Sequence, residues 1–517
     1  MRKIELAKRF CTVCTLSLVF AHTLHAQTLT VLQNFDGIDG DAPFAVVQGL
    51  NGNFFGNTNY GGIGFKSNGG YGGYGTLFEV TSAGALLGSY RFCSLAKCSD
   101  GINPGPLVLG ADGNFYGATG FGGTGPSTNC GNVQGCGTIF RVTPDGKLTT
   151  LYDFCSLTGC ADGWIVPEPL VQGPNGNLYG ATFQGGTVDC YLGCGTIFEI
   201  TPRGLLTTLH TFCISGSSCS DGETPETPLV LGSDGNFYGG ANASAPTNNG
   251  TLFVVTPTGK FTTLHQLRGT SDGNNPIGLV AANDGNFYGT TSSGGTGAHC
   301  TSFDICGTVF KLTPGGQFTT LYNFCSQPNC TDGSGPDFSG LIQGSDGDFY
   351  GTTDLGGANS NSNICPNSCG VIFKITPAGQ FTVLYNFCSQ ANCADGNGRG
   401  TLMQATDGKF YGASDLGGLA GGCGGYGCGT LFMLDMGLDP FVNANPVFGK
   451  TGYNISILGN NLTGATGVTF NGASATFNVV SDTLIKATVP TGATTGPIQV
   501  VTSSGTLSSD VAFRVLP

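Results

Sequence analysis

Residues 112–119 read DGNFYGAT. An Asp-Gly pair supplies the positive φ of a tight turn, and the aromatic run after it has strand character. The same signature stands as NGNFFG at 51–56, NGNLYG at 175–180, DGNFYG at 234–239 and 284–289, DGDFYG at 346–351 and DGKFYG at 407–412. Its closing glycines, from Gly56 to Gly412, lie 61, 63, 59, 50, 62 and 61 residues apart. A near-constant period of this size marks one supersecondary unit repeated along the chain.

Each unit holds four strand-like pieces. In the second they are Pro106–Leu109, Asn114–Thr119, Thr138–Thr143 and Leu148–Phe154, joined in part by the Asp-Gly and Pro-x-Gly turns that signal hairpins. The third piece recurs seven times, with Phe78, Phe140, Phe198, Phe253, Phe310, Phe373 and Phe432 in register. The fourth recurs seven times only if Leu29–Phe35 at the N-terminus is counted, because the last unit stops near Asp435. A ring of four-stranded blades leaves a seam, and a strand moved from the end of the chain to its start closes that seam without an exposed edge. The expected fold is therefore all-β: a seven-bladed β-propeller over residues 28–434, closed by the N-terminal strand. Residues 435–446, rich in Pro and Asn, read as a linker. Short alternating runs over 447–517 read as an immunoglobulin-like β-sandwich.

The order xDGNFYGxT, GTxFxxTPxG, xTTLYxF, then DG resembles the GloVer tandem repeat of choice-of-anchor exported bacterial proteins. The stretch from ILGNNLTG to VVTSSG resembles the TIG/IPT immunoglobulin-like domain. Together these resemblances imply a secreted or cell-surface repeat protein and imply no reaction. The units are also loosely similar to the DGNLW strands of streptogramin lyase propellers, but no catalytic His and Glu set carries over.

Composition fits export. Charged residues make up 10% of the chain, against roughly 25% in ordinary soluble domains. Residues 1–26 read as a signal peptide: Arg2, Lys3, Lys8 and Arg9, then an apolar stretch too short to span a bilayer, then Leu24-His25-Ala26 before Gln27. With that segment removed, no membrane insertion is expected. The formal charge of −13 argues against nucleic acid as a partner, since it needs a basic footprint. A monomer is expected.

Cys11 and Cys14 belong to the signal segment. The other cysteines form ten close pairs: Cys93/Cys98, Cys130/Cys136, Cys155/Cys160, Cys190/Cys194, Cys213/Cys219, Cys300/Cys306, Cys325/Cys330, Cys365/Cys369, Cys388/Cys393 and Cys423/Cys428. Five pairs follow the fourth strand and five lie between the second and third, so all fall on one face of an up-and-down blade. Pairs come and go as units between repeats, which points to bridges within each loop. Four-thiolate zinc, for instance at Cys155, Cys160, Cys190 and Cys194, is the alternative. An oxidising compartment favours disulfides.

The chain carries little recognisable chemistry. His210 and His265 occupy the position of Tyr152 and Tyr322, which suggests packing, and His299 sits alone in a cysteine loop. Glu79 and Glu199 read as surface positions, while Glu168 and Glu223 are acid/base candidates on the cysteine face. Seven aspartates, Asp39, Asp100, Asp162, Asp221, Asp272, Asp332 and Asp395, each precede a glycine. One reading is a carboxylate that bonds turn amides; the other is a calcium site or acidic funnel. Asp36, Asp39 and Asp41 are the densest set for calcium, the one cofactor considered. Trp164, the only tryptophan, lies just after Asp162, and with Phe121, Phe183 and Tyr191 it suggests a sugar or peptide platform. These features favour a non-enzymatic binding or scaffold protein whose ligand is a glycan or another surface protein. The alternative is an extracellular propeller lyase or hydrolase acting on a polysaccharide or small molecule.

Overall fold

The computed structural model describes residues 28–64, 72–125, 135–186, 193–214, 219–242, 249–300, 305–336, 340–361, 364–366, 368–418 and 423–517. The signal-segment reading, Cys130, Cys190 and Tyr191 lie outside them. The chain is all-β, and its repeat region folds into four-stranded antiparallel sheets in a propeller-like arrangement. Seven such sheets occur among the described residues. In the first, Asp41–Gln48, Phe54–Tyr60, Thr76–Val80 and Leu86–Arg91 pair in chain order. In the second, the expected first strand is split into Ile102–Pro104 and Val108–Leu109. The seventh is built from Leu402–Gln404, Phe410–Ser414 and Thr430–Asp435, and its fourth strand is Thr28–Asn34. That strand runs antiparallel from Thr28 opposite Asp435 to Asn34 opposite Thr430.

Adjacent sheets are held by a repeated aromatic contact. The tyrosine of one DGNFYG strand stacks on the phenylalanine of the next: Tyr179 on Phe237, Tyr238 on Phe287, Tyr288 on Phe349 and Tyr350 on Phe410, with ring centres 3.9–4.3 Å apart. Tyr411 of the seventh sheet then stacks on Phe54 of the first at 4.1 Å, and Phe55 on Phe115 of the second at 4.2 Å. Between the second and third sheets Tyr116 meets Leu178, the one unit whose signature has leucine. Each ring is fully buried or nearly so, and a buried aromatic pair contributes roughly 0.5–1.5 kcal/mol beyond its area.

A second contact repeats at every junction. Two residues after each Asp-Gly aspartate's glycine, a backbone N–H donates to a carbonyl in the neighbouring sheet. The bonds are Asn103 to Tyr74, Ile165 to Cys136, Thr224 to Cys194, Asn275 to Asn249, Gly335 to Cys306, Gly398 to Cys369 and Ala42 to Cys428, at 2.7–3.3 Å. The donors Ala42, Asn103, Ile165, Thr224 and Asn275 all adopt left-handed φ of 49–55°. Beside the last of these bonds, Gly429 has φ +89°, and an added Cβ there would collide with Pro43 of the first sheet and the Ser414 carbonyl.

Residues 443–517 form two further four-stranded sheets around one core that includes Val442, Ile457, Phe470, Ile485, Ile498 and Phe513. The first of their strands, Asn443–Asn445, lies inside the segment expected to be linker, because it pairs with Asn454–Leu458. This unit sits on the tight turns of the repeat region. Asn445 Nδ2 donates to Gly110 O at 2.9 Å, Asn460 Nδ2 to Thr406 Oγ1 at 2.9 Å, Asn283 Nδ2 to Asp510 O at 2.7 Å, and Thr483 Oγ1 to Leu50 O at 3.3 Å. Residues Asn443 to Phe448 lie across the ends of the first strands of sheets one, two, three and seven. Among the described residues no helix is long and apolar enough to cross a membrane.

The closing strand gives the first testable outcome. Leu29 is buried in the core shared with sheets six and seven, whereas Leu87 on an outer strand is 55% exposed. Leu29→Ala is expected to lower unfolding free energy by about 2–4 kcal/mol, and Leu87→Ala by less than about 0.5 kcal/mol, as read by denaturant titration of the mature chain.

Candidate functional site

The seven Asp-Gly carboxylates first show what they do. Asp100, Asp162, Asp332 and Asp395 are fully buried and accept from Tyr90, Tyr152, Tyr322 and Tyr385 at 2.7–2.9 Å. Asp221 and Asp272 pair with His210 and His265 at 3.1 and 2.9 Å. These histidines stack on Phe261 and Phe318, as Tyr322 does on Phe381. At Asp39 the partner is Gln33 of the closing strand, at 3.4 Å. The backbone N–H groups of Ser156 and Leu157 also donate to Asp162. This ring is the turn-bonding reading of the sequence, with the carboxylate tying the fourth strand to the loop that leaves it.

Among the described residues, eight expected cysteine pairs are bonded within their own loops: Cys93–Cys98, Cys155–Cys160, Cys213–Cys219, Cys300–Cys306, Cys325–Cys330, Cys365–Cys369, Cys388–Cys393 and Cys423–Cys428. Cys136 and Cys194 are disulfide-bonded as well. Closure of such a short loop stabilises by about 2 kcal/mol in the chain-entropy model. Cys155–Cys160 spans the segment whose amides hold Asp162.

The sequence-derived site residues do not converge. Trp164 is 4% exposed and packs in the core with Cys136, Cys155 and Cys160, so its ring fills the interior instead of forming a platform. Asp162 is sealed below it. Phe183 is half-buried beside Trp164, and its N–H donates to Ile165 O. Asp36 and Asp39 bond each other's backbone: Asp36 N–H donates to Asp39, and the Ile38 and Asp39 amides donate to Asp36. Asp41 stands apart from them, 1% exposed, against the Cys423–Cys428 bridge. Neither of its carboxylate oxygens has a hydrogen-bond partner among the described residues. Of the described members of the aromatic set, Phe121 lines an open cavity and Trp164 and Phe183 do not line it.

That cavity, about 320 Å3, lies on the cysteine-bearing face where the first strands of sheets one, two and three meet sheet seven. Phe44, Tyr60, Phe121, Ile165 and Pro104 make an apolar wall. Asn59, Asn103, Glu168, Arg399 and Asp415 supply polar groups. Arg399 Nη1 lies 3.7 Å from Asp415 Oδ2, while Asp415 Oδ1 is buried without a partner. Burial pushes the Asp415 carboxyl up to about 7 against the pull of Arg399, and burial likewise raises Asp354 of the sixth sheet. Asp41 is pushed up to about 7, by burial above all and further by the charge of Asp415.

Arg399, Asp354 and Asp415 were not singled out from sequence, although a signal for them exists. Aligned on the Asp-Gly pair, Arg399 takes the place of Pro43, Pro104, Pro225, Pro276 and Pro336, with Val166 in the third unit. Asp354 and Asp415 take the place of Asn59, Gly120, Phe183, Asn242 and Ser292. In a repeat, the positions that break the pattern are those the scaffold does not require.

Fold and site together define an all-β tandem-repeat protein with propeller-like sheets. The Gloeobacter/Verrucomicrobia repeat matches residues 14–227, 63–303, 127–364 and 302–495, and the chain belongs to that family. No curated protein matches it. Among solved structures it is similar to the extracellular domain of a proposed hybrid two-component system of B. thetaiotaomicron, with 11% identity and a TM-score of 0.46 over 95% of this chain. The chain spans 58% of that structure's length. A proposed gluconolactonase matches at 12% identity and a TM-score of 0.34, over 69% of this chain and 91% of its own. A luciferin-regenerating enzyme matches at 9% and 0.38, over 80% and 97%. At these scores none bears on the residues of the cavity.

Two outcomes follow from this geometry. Asp41 binds a proton in the folded chain up to about pH 7 but loses it near 3.8 when unfolded. The folded state then holds more protons between those values, so this residue's contribution falls as pH rises through that window. Asp41→Asn is expected to flatten that fall and to raise stability at pH 8 by about 1–3 kcal/mol, read as melting temperature from pH 4 to 8. Replacing Cys155 and Cys160 together by Ser is expected to cost about 2 kcal/mol in denaturant unfolding.

Proposed function

We propose that the seven sheets close into a seven-bladed β-propeller, that the C-terminal unit is an immunoglobulin-like domain seated on its turn face, and that the protein is exported and works by binding. Closure is supported by the pairing of Thr28–Asn34 with Thr430–Asp435 and by the cyclic run of stacks and amide bonds. Export is supported by the signal-type segment at 1–26 and by disulfides in the loops. The observation that carries the binding reading is the asymmetry of the two faces. The turn face is occupied by residues 443–517, whereas the opposite face carries the long loops and the cavity at Arg399 and Asp415. Loops on a rigid scaffold are where binding residues gather, and bridges within them lower the ordering cost of association. The ligand is a glycan or another surface protein.

One observation favours an enzyme instead: the Asp415 carboxyl, with its proton held to about pH 7 in a cavity beside Arg399, suits general acid–base work. A glycan and polysaccharide array on the mature chain separates the readings. Binding without turnover is expected, weakened by Phe121→Ala on the cysteine face and unchanged by Asp145→Ala on the turn face. Turnover of any arrayed substrate would put the protein among the enzymes.

A further inference from the structure

The binding reading leaves open which part of the face does the binding and what chemistry it accepts. The cavity between sheets seven, one, two and three answers both. Its volume, about 320 Å3, stands at the lower end of the roughly 300–1,000 Å3 of small-molecule sites. It therefore admits one or two rings and excludes a folded surface.

Its two walls differ in chemistry. The aromatic and proline wall comes from sheets one and two, and Arg399 and Asp415 come from the seventh, with Glu168 entering ahead of sheet three. At the Asp415 position, the first five units carry no charge. The seven-fold scaffold is thus broken at Arg399 and Asp415 and again at Glu168, which fixes a ligand's orientation as a symmetric funnel would not.

Asp415 supplies the second requirement. It is 7% exposed and lines the cavity, with Oδ2 facing Arg399, while Oδ1 is closed off from solvent and makes no hydrogen bond to the described residues. With Oδ1 closed off, a ligand hydroxyl would approach this carboxylate from its Arg399 side. The ion pair with Arg399 balances the charge at this wall. An acidic ligand meets Glu168 and Asp415, and an ammonium ligand meets Arg399. An uncharged ligand with an apolar face and donors around its edge suits both walls, and a sugar ring has that form.

We propose that this cavity is a subsite for one uncharged hexose unit of a saccharide, stacked on Phe44, Tyr60 and Phe121 and hydrogen-bonded through its hydroxyls to Asp415, Arg399 and Glu168. The proposal rests on the binding reading and narrows it. Hydroxyl donation to the Asp415 carboxylate on its Arg399 side and acceptance from the Arg399 guanidinium make the edge contacts, and C–H groups cover the aromatic wall.

The test uses the full mature chain and calorimetric titration with uncharged gluco-, manno- and galacto-oligosaccharides, alongside the matching uronic-acid and amino-sugar compounds. The expected result is binding of an uncharged oligosaccharide at least tenfold tighter than of its charged counterparts. Asp415→Asn, Arg399→Gln and Phe121→Ala should each weaken it at least tenfold, and Asp145→Ala should leave it within twofold. Because a variant at a buried position can unfold, hydrogen exchange of the unmodified chain gives a second readout, with ligand-dependent protection expected at residues 42–44, 59–60 and 120–121. A saccharide that binds without protecting those segments, or with undiminished affinity for all three variants, overturns the subsite and leaves the binding reading standing. Tighter binding of a uronic acid or amino sugar overturns its uncharged character. If a surface protein binds and no saccharide does, the subsite falls and the binding reading survives. Turnover in place of binding removes both.

Discussion

The repeat region depends on one backbone hydrogen bond made seven times, from a loop amide of one sheet to a loop carbonyl of its neighbour. Six of the seven donors, all but Gly398, sit in a left-handed conformation, even Ile165 and Thr224, whose branched Cβ disfavours it. Such backbone strain costs on the order of 1–3 kcal/mol, and the bond itself returns about 0.5–1.5 kcal/mol net. The bond alone therefore does not hold the loop. The buried Asp-Gly carboxylate just before it, the tyrosine or histidine bonded to that carboxylate, and the stacked rings below over-determine the conformation. The amide bond then fixes the angle between sheets, and with it the ring of residues from which the cavity is cut.

Much of this was legible in the sequence because it repeats. Turn, strand and aromatic register recur at a fixed period, and the displaced strand Leu29–Phe35 announced its own pairing partner. Six of the seven Asp-Gly carboxylates, all but Asp272, accept from nearby backbone amides, as a short acceptor beside glycine can. The inter-sheet bond was not legible. Its donors are Ala42, Asn103, Ile165, Thr224, Asn275, Gly335 and Gly398, which share no side-chain property because only their backbone acts.

The site was harder to read. Trp164 looked like a platform because tryptophan is rare here and follows a loop aspartate. Aligned on the Asp-Gly pair, it holds the same slot as Ile102, also buried, and large apolar rings next to disulfides go inward. Asp36, Asp39 and Asp41 are close in sequence, but the turn spends the first two on backbone amides and carries the third into the neighbouring junction. Arg399 and Asp415 lie sixteen residues apart but face each other across the hairpin of the seventh sheet, where the Asp415 N–H donates to Arg399 O at 3.0 Å. The seating of the C-terminal unit on the repeat region was not legible either. Its contacts run through carbonyls and short amides such as Asn283, Asn445 and Asn460, which leave no pattern in a sequence.

The pairing of Thr28–Asn34 with Thr430–Asp435 imposes an order of events on the growing chain. The first strand of the described chain to be synthesised is among the last to find its partner, with some four hundred residues made in between. Until then the N-terminal segment is an unpaired edge carrying Leu29 and Val31, and the two ends of the unfinished array present open strands to other molecules. Neighbouring units can assemble by local hairpins as they emerge, whereas the pairing of the first strand with the last unit is a single long-range event that waits for that unit. A chain stopped one unit short would hold six formed sheets and a first strand with nowhere to go, a species suited to pairing with a second copy of itself.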